Sequence, residues 1–253
     1  MRKLLALLLL FPGALSGAQQ IRVAAGADMS VALPALAESY AKGKRTLVVD
    51  SAFNASGTLT NQIRKGAPFD VFLSTDEQYA QQLIAEGLAS RDTLYRFGVG
   101  RLVLWVPNSS PLDLPKLGIK ALLDPSVKKI AIENPANGPF GRAAEAALRH
   151  FGIYDKVASQ FVDGENISQA AQIVVSGEAQ VGLIALSLAT AMKGQGRYWM
   201  VPPDAYPSLS QTAVMLSHSQ QQEGARQFLD FLHSPEAASV LDSYGFSAAA
   251  VKH

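Results

Sequence analysis

The chain is organised around one stretch, Phe53–Asp76, which reads FNASGTLTNQIRKGAPFDVFLSTD. The stretch begins with a hydroxyl-rich turn and continues with apolar residues at helical spacing, so it predicts a helix capped by Ser56 or Thr58. Gly66 marks the end of that helix, and residues 69–73 read as a short buried strand. A helix N-terminus that follows such a turn offers free backbone N–H groups to an anion, although an ordinary capped helix fits the same residues.

The same order of strand, small turn and helix recurs along the whole chain. It predicts seven to nine strands in a parallel or mixed α/β architecture made of two lobes. We assign residues 19–99 and 207–253 to the first lobe and residues 100–206 to the second. Two apolar strands, near residues 100 and 212, are the predicted crossovers between the lobes.

Composition and motifs exclude several classes of protein. The chain has 253 residues, 48% of them hydrophobic, and its formal charge of +1 gives no basic surplus for nucleic acid. It has no cysteine, which excludes disulfides, thiolate zinc sites and cysteine nucleophiles. There is no G-x-S-x-G elbow, P-loop or H-E-x-x-H motif, and no histidine pairs with a serine or carboxylate in a recognisable motif. We therefore expect neither an enzyme nor a bound cofactor.

Residues 1–18 read as a cleaved signal peptide. Arg2 and Lys3 precede an unbroken apolar run, residues 4–11, which is too short to span a membrane. Small residues near Ala18 supply a cleavage site. Removal of the two basic residues changes the formal charge from +1 to −1, so the mature chain is nearly neutral. We expect export to the periplasm.

Four turns each join a strand to the start of a helix, two in each predicted lobe: residues 27–28, 55–57, 138–141 and 166–167. In open α/β sheets such turns lie at the carboxyl ends of strands, where ligands bind. If the turns face one another across a cleft, their N–H groups and a serine hydroxyl suit a small, unprotonated oxyanion. Each hydrogen bond to a charged group contributes about 1.5–3 kcal/mol, so several give micromolar binding or better. Each turn taken alone also fits a simple helix cap.

Several segments together resemble the periplasmic molybdate-binding proteins of ABC importers. The most specific is GAPFDVFLSTD at residues 66–76, and the others are AAGADM at 24–29, FNASGTL at 53–59, NPANGPFGRAA at 134–144, GENISQA at 164–170, VGLIA at 181–185 and YGF at 244–246. The resemblance covers essentially the whole mature chain. It implies a type II periplasmic binding protein fold, in which two α/β lobes close on molybdate or tungstate. It also implies a monomer that delivers the ion to the membrane subunits of an ABC permease.

The resemblance further implies that neutral hydrogen-bond donors hold the ion. These are the hydroxyl and N–H of Ser56 and the backbone N–H groups of Phe140 and Ile167. Asp28 stands where many relatives have a serine that contacts the ion. Because a carboxylate repels a dianion, we expect Asp28 to turn away as a helix N-cap and to leave its own N–H, or that of Ala27, for binding. The alternative is direct coordination of the metal centre by the carboxylate.

A second departure from the family pattern is Ala185, which stands where many relatives have a tyrosine hydroxyl. A water molecule or a neighbouring group such as Ser187 would then replace that donor, or the site would be weaker. Two other readings stay open. One is a receptor for sulfate, phosphate or chromate, and the other is a secreted α/β hydrolase with Ser56 as its nucleophile, for which the sequence offers no partner base.

Overall fold

The computed structural model describes residues 19–43 and 47–248, so the predicted signal peptide lies outside the described residues. The described chain contains ten strands and ten α-helices. The strands are β1 (Gln19–Gly26), β2 (Leu47–Asn54), β3 (Val71–Ser74), β4 (Tyr95–Gly100), β5 (Leu102–Pro107), β6 (Ile130–Glu133), β7 (Phe161–Gly164), β8 (Val181–Ala185), β9 (Gly196–Met200) and β10 (Leu209–Met215). The helices are α1 (Ala32–Lys42), α2 (Ser56–Arg64), α3 (Glu77–Ala85), α4 (Leu114–Leu117), α5 (Pro139–His150), α6 (Tyr154–Val157), α7 (Ile167–Val175), α8 (Leu186–Ala191), α9 (Gln222–Leu232) and α10 (Pro235–Ser243).

The strands form two five-stranded mixed sheets, which confirms the predicted fold class. The first sheet has the order β2-β1-β3-β10-β4, and the second has the order β7-β6-β8-β5-β9. In the first sheet β10 runs antiparallel to β3 and β4, while β1 runs parallel to β2 and β3. In the second, β5 runs antiparallel to β8 and β9, while β6 runs parallel to β7 and β8. The chain passes to the second sheet after Gly100 and returns to the first between Met200 and Leu209.

The central parallel strands are apolar because helices cover both of their faces. Every residue of β3 and of β8 is buried, as expected for strands that lie between two layers of helices. The helices contribute apolar faces to the same cores: Leu33 and Leu36 of α1 pack in the first lobe, and Ala144 and Leu148 of α5 pack in the second. Within residues 19–43 and 47–248, no helix is both long and apolar enough to cross a membrane.

Three local predictions differ from the structure. Strand β4 was not predicted, since its sequence YRFGVG is short and contains two glycines. The sequence of residues 158–162, ASQFV, predicts a strand there, but residues 158–160 form a 3-10 turn and β7 starts only at Phe161. Helix α2 has no side-chain cap. Ala55 occupies its N-cap, and the Ser56 hydroxyl oxygen accepts from the Thr75 N–H instead. Its predicted end is confirmed: Gly66 has a positive φ of 83°, which glycine adopts without steric cost.

Candidate functional site

The four predicted turns meet in pairs where the two lobes face each other. The N–H of Gly57, from the second turn, donates to the carbonyl of Asn137 at 3.0 Å, directly before the third turn. The Ser168 hydroxyl, next to Ile167 in the fourth turn, donates to the carbonyl of Ala27 in the first turn at 2.9 Å. The structure therefore brings all four turns to one interface between the lobes.

Three of the predicted donors lie in the first turn of a helix. Ser56 and Ile167 are the first residues of α2 and α7, and Phe140 is the second residue of α5. The first N–H groups of a helix have no acceptor within it, and the helix dipole makes that end electropositive. The Ser56 oxygen accepts from the N–H of Thr75 at 3.1 Å, and no described residue accepts the Ser56 hydroxyl proton. Three helix N-termini and one hydroxyl therefore belong to the turns at this interface.

The prediction that Asp28 is a helix N-cap is wrong. Val31 occupies the N-cap of α1, and Asp28 lies in a 3-10 turn, Ala27–Met29, with its carboxylate buried. One carboxylate oxygen accepts from the Thr75 hydroxyl at 2.8 Å, and the other accepts from the Gln211 amide at 2.7 Å. Burial raises the pKa of Asp28 to about 6, while the two hydrogen bonds lower it. The Asp28 carboxylate, which we expected to point away from the site, is therefore buried within it.

Ser187 connects the two lobes instead of replacing the missing tyrosine. Its hydroxyl donates to the backbone carbonyl of Asp28 at 2.7 Å, and its side chain is buried. Ala185, the residue at the tyrosine position, forms the N-cap of α8 without a side-chain hydrogen bond. The Ser187 hydroxyl proton is therefore already donated to the Asp28 carbonyl.

Glu133 is a site residue that the sequence analysis missed. It is the last residue of β6 and only 2% exposed. One of its carboxyl oxygens accepts from the N–H of Phe140 at 2.8 Å and from the N–H of Gly141 at 3.2 Å. Burial, with a further contribution from the charge of Asp28, raises the pKa of Glu133 to about 8. The Phe140 N–H, which was predicted to hold the ion, thus already binds a carboxyl group of the chain.

A signal for Glu133 was present in the sequence. It is the single charged residue in the strand IAIE and lies just before the glycine-rich turn at 138–141. Gly138 makes room for its side chain, since a Cβ at Gly138 would overlap the Glu133 carboxyl. A charged residue that ends a buried strand next to such a turn indicates a functional position more often than a packing position.

A polar cluster, which we call the rim cluster, joins the lobes beside the turns. It consists of Asp76, Tyr79, Asn137 and Arg142. The Arg142 guanidinium donates to the Asp76 carboxylate at 2.8 Å and to the Tyr79 hydroxyl at 3.0 Å. The Tyr79 hydroxyl in turn donates to the Asn137 carbonyl at 3.4 Å. Asp76 also caps α3 through the N–H of Gln78, so the cluster is anchored to a helix start on one side.

The structure offers Ser56 no catalytic base. Among the described residues, the Ser56 hydroxyl oxygen accepts from the Thr75 N–H and the Ser56 backbone carbonyl accepts from the Thr60 hydroxyl, and neither partner accepts a proton from Ser56. His233 packs on the Tyr95 ring, with ring centroids 3.6 Å apart, and takes no part in the site. In the part of the chain that the structure describes, no group of three or more acidic or histidine side chains is placed to hold a metal ion. Geometry therefore favours binding over hydrolysis.

Comparison with known proteins gives one family match, two similar relatives and one similar solved structure. Residues 21–247 match the family model described as bacterial extracellular solute-binding protein. The chain is 36% identical over 198 residues to molybdate-binding protein ModA of Rhodobacter capsulatus, covering 78% of this chain and 77% of the relative. It is 32% identical over 231 residues to molybdate-binding protein ModA of Azotobacter vinelandii, covering 90% of each. The solved structure of the A. vinelandii periplasmic molybdate-binding protein matches with a TM-score of 0.84 and 29% identity, over 90% of this chain and 99% of that one.

Proposed function

Because the chain belongs to the family of bacterial extracellular solute-binding proteins, we propose that it is an exported receptor that binds molybdate between its lobes. The observation that carries the proposal is the convergence of three helix N-termini and the Ser56 hydroxyl at one interface. The ion-binding residues in this proposal are Ala27, Asp28, Ser56, Phe140 and Ile167. The receptor binds tungstate as well, because that ion has the same charge and shape, and it acts as a monomer without a cofactor or a catalytic step.

Closure of the lobes explains how such a receptor works. The ion contacts donors from residues 19–99 and 207–253 on one side and from residues 100–206 on the other, so it stabilises the closed state over any open one. The closed receptor then presents one defined surface to the membrane subunits of an ABC permease. The names of the relatives support molybdate over sulfate as the ion.

Titration calorimetry with five oxyanions tests this proposal. We expect molybdate and tungstate to bind with micromolar or tighter affinity and sulfate, phosphate and chromate to bind much more weakly. Tighter binding of phosphate or sulfate than of molybdate would show that molybdate is the wrong ion. Absence of heat with all five anions would contradict the receptor function itself.

Ser56→Ala is expected to weaken molybdate binding by about 1–3 kcal/mol, or roughly 5- to 150-fold, because a buried hydroxyl donor to a charged ligand is lost. Calorimetry measures the affinity, and circular dichroism checks that the fold is intact. Ser176→Ala is the matched control, since the Ser176 hydroxyl is exposed and donates only to the Ile173 carbonyl at the end of α7. Equal molybdate affinity of wild type and Ser56→Ala would show that the Ser56 hydroxyl does not bind the ion.

Arg142→Gln is expected to weaken molybdate binding about two- to fivefold without touching the ion. The Arg142–Asp76 pair is partly exposed, and such pairs contribute about 0.2–1 kcal/mol. The effect should be smaller in an Asp76→Asn background, because the charge of the partner is then absent and only neutral acceptors such as the Tyr79 hydroxyl remain. Arg149→Gln is the control on the same helix, where the guanidinium lies 3.6 Å from the Tyr154 ring centroid. Additive losses in the double variant would show that the rim cluster does not couple the lobes.

A further inference from the structure

We propose that Glu133 stays inside the closed cleft as a neutral carboxylic acid and donates a hydrogen bond to the bound oxyanion, so that capture of the anion takes up a proton. The inference rests on the proposed function and adds a specificity-determining residue to that site. Four observations carry it: the contact that Glu133 makes, the space in which it is held, the surplus of acceptors around it and the charges that face it.

The contact places Glu133 in direct competition with the ligand. Its carboxyl occupies the N–H groups of Phe140 and Gly141, the electropositive end of α5 that an oxyanion would use. An ionised carboxylate and a dianion within a few ångströms of each other repel strongly at low dielectric. A protonated carboxyl removes this repulsion and provides a donor, and it takes over the contact with the ion that we proposed above for the Phe140 N–H.

The closed structure holds Glu133 in place. Gly138 leaves room for the Glu133 carboxyl, because any Cβ at position 138 would overlap it. The Gly57 N–H and the Asn137 carbonyl close the interface next to the same turn at 3.0 Å, and Glu133 is only 2% exposed. Movement of the side chain into solvent therefore requires that the lobes separate, which is the opposite of what ligand capture does.

The interior around Glu133 contains more acceptors than donors. Both oxygens of Asp28 accept hydrogen bonds, one of them from the Gln211 amide nitrogen. The Gln211 amide oxygen is buried and has no hydrogen-bond partner among the described residues. A fully deprotonated oxyanion brings only further acceptors, and buried acceptors without donors are costly. A proton on Glu133 adds one donor to this set of groups, and in the proposed complex the oxyanion accepts it.

The charges that face Glu133 favour the neutral form. Asp28, across the interface, raises the pKa of Glu133, and Arg142 of α5 lowers it by a smaller amount than burial raises it. Asp28 itself is surrounded by Thr75 and Gln211, which are neutral. With the lobes closed, burial outweighs the N–H groups of Gly141 and Phe140, which lower the pKa of Glu133, and holds it at about 8. A bound dianion raises the pKa further. Above that pH, capture must add a proton to the site.

Calorimetric titration with molybdate at pH 9, in two buffers of different ionisation enthalpy, counts the protons taken up. We expect wild type to take up about one proton more than Glu133→Gln, which is neutral at every pH and keeps an amide donor. Between pH 8 and 9.5 the Kd of wild type should rise by up to about tenfold per pH unit, and the Kd of Glu133→Gln should rise less. The control Glu178→Gln, a half-exposed residue that faces Lys129 at 3.6 Å, should behave like wild type.

Equal proton uptake by wild type and Glu133→Gln, or proton release by wild type, would overturn the inference, since release means that an ionised Glu133 leaves the cleft. If Glu133→Gln does not fold, the wild-type count decides: zero or release overturns the inference, and uptake supports it. Absence of molybdate heat at every pH from 6.5 to 9.5, in wild type and in the folded Glu178→Gln control, contradicts the proposed function instead. The two failures are thus distinguishable.

Discussion

Replacement of Gly57 by alanine is expected to weaken molybdate binding by about 1–3 kcal/mol, or roughly 5- to 150-fold, while it leaves each lobe folded. Gly57 is the second residue of α2, and its N–H donates across the interface to Asn137. A Cβ at this position would lie 2.7 Å from the Asn137 carbonyl oxygen and 2.8 Å from the Tyr79 hydroxyl. Because Asn137 belongs to the other lobe, the added methyl group opposes closure itself.

The test of Gly57→Ala combines affinity with stability. Within the first lobe the Tyr79 side chain must shift to admit the Cβ, and the helix preference of alanine over glycine, about 1 kcal/mol, opposes that cost. The isolated first lobe should therefore change little in stability. Calorimetry should therefore report weaker binding, while circular dichroism reports unchanged helix content. Asn61→Ala is the matched control, because Asn61 is exposed on the same helix. Wild-type affinity in Gly57→Ala would contradict binding by lobe closure.

The ligand-free protein is expected to lose several kcal/mol of stability between pH 4.5 and 8, because Glu133 is buried. Its pKa is raised from 4.5 to about 8 in the folded state, and each pKa unit corresponds to about 1.4 kcal/mol. Between these two values the folded state holds a proton that the unfolded chain has released. The free energy of unfolding therefore falls with rising pH across this window and levels off above it. Asp28 adds a smaller loss between pH 3.8 and about 6.

Urea denaturation at pH 5 and pH 9 measures this effect. Wild type should lose several kcal/mol more than Glu133→Gln over that range, since the variant has no group to titrate at this position. The comparison cancels the contributions of the groups that do not interact with Glu133; Asp28, whose charge acts on Glu133, is the exception. Identical pH dependence in the two proteins would mean that Glu133 is solvated in the folded state.

Local sequence signals predicted the elements well where the pattern was long and regular. The stretch 53–76 gave α2, its end at Gly66 and the buried strand β3, because apolar spacing and a left-handed glycine act within a few residues. Strand β4 was not predicted, because its neighbour in the sheet, β10, lies more than 100 residues away along the chain. Pairing with β10, and not the propensity of YRFGVG, makes it a strand.

The candidate site was predictable in its turns but not in its charges. A helix start is recognisable from residues such as Ser56 and Gly57, so the four turns were found. Asp28 was assigned to a cap because its partners, Thr75 and Gln211, are 47 and 183 residues away. Glu133 was missed because its role depends on the N–H groups of a helix that starts six residues later and on closure against the other lobe. The pairs that Asp28 forms are long-range and leave little trace in a single sequence, whereas the Glu133 contact spans only seven residues and its signal is the charge at the end of a buried strand.

The most direct measurement is a crystal structure of the protein grown with molybdate, in which anomalous scattering at the molybdenum absorption edge locates the ion. The account predicts one strong peak between the lobes, where oxygens of the ion lie within hydrogen-bonding distance of Ser56, of the first turn of α7 and of the carboxyl group of Glu133, which stays inside the cleft. A peak on an outer surface, or no peak between the lobes, would contradict it.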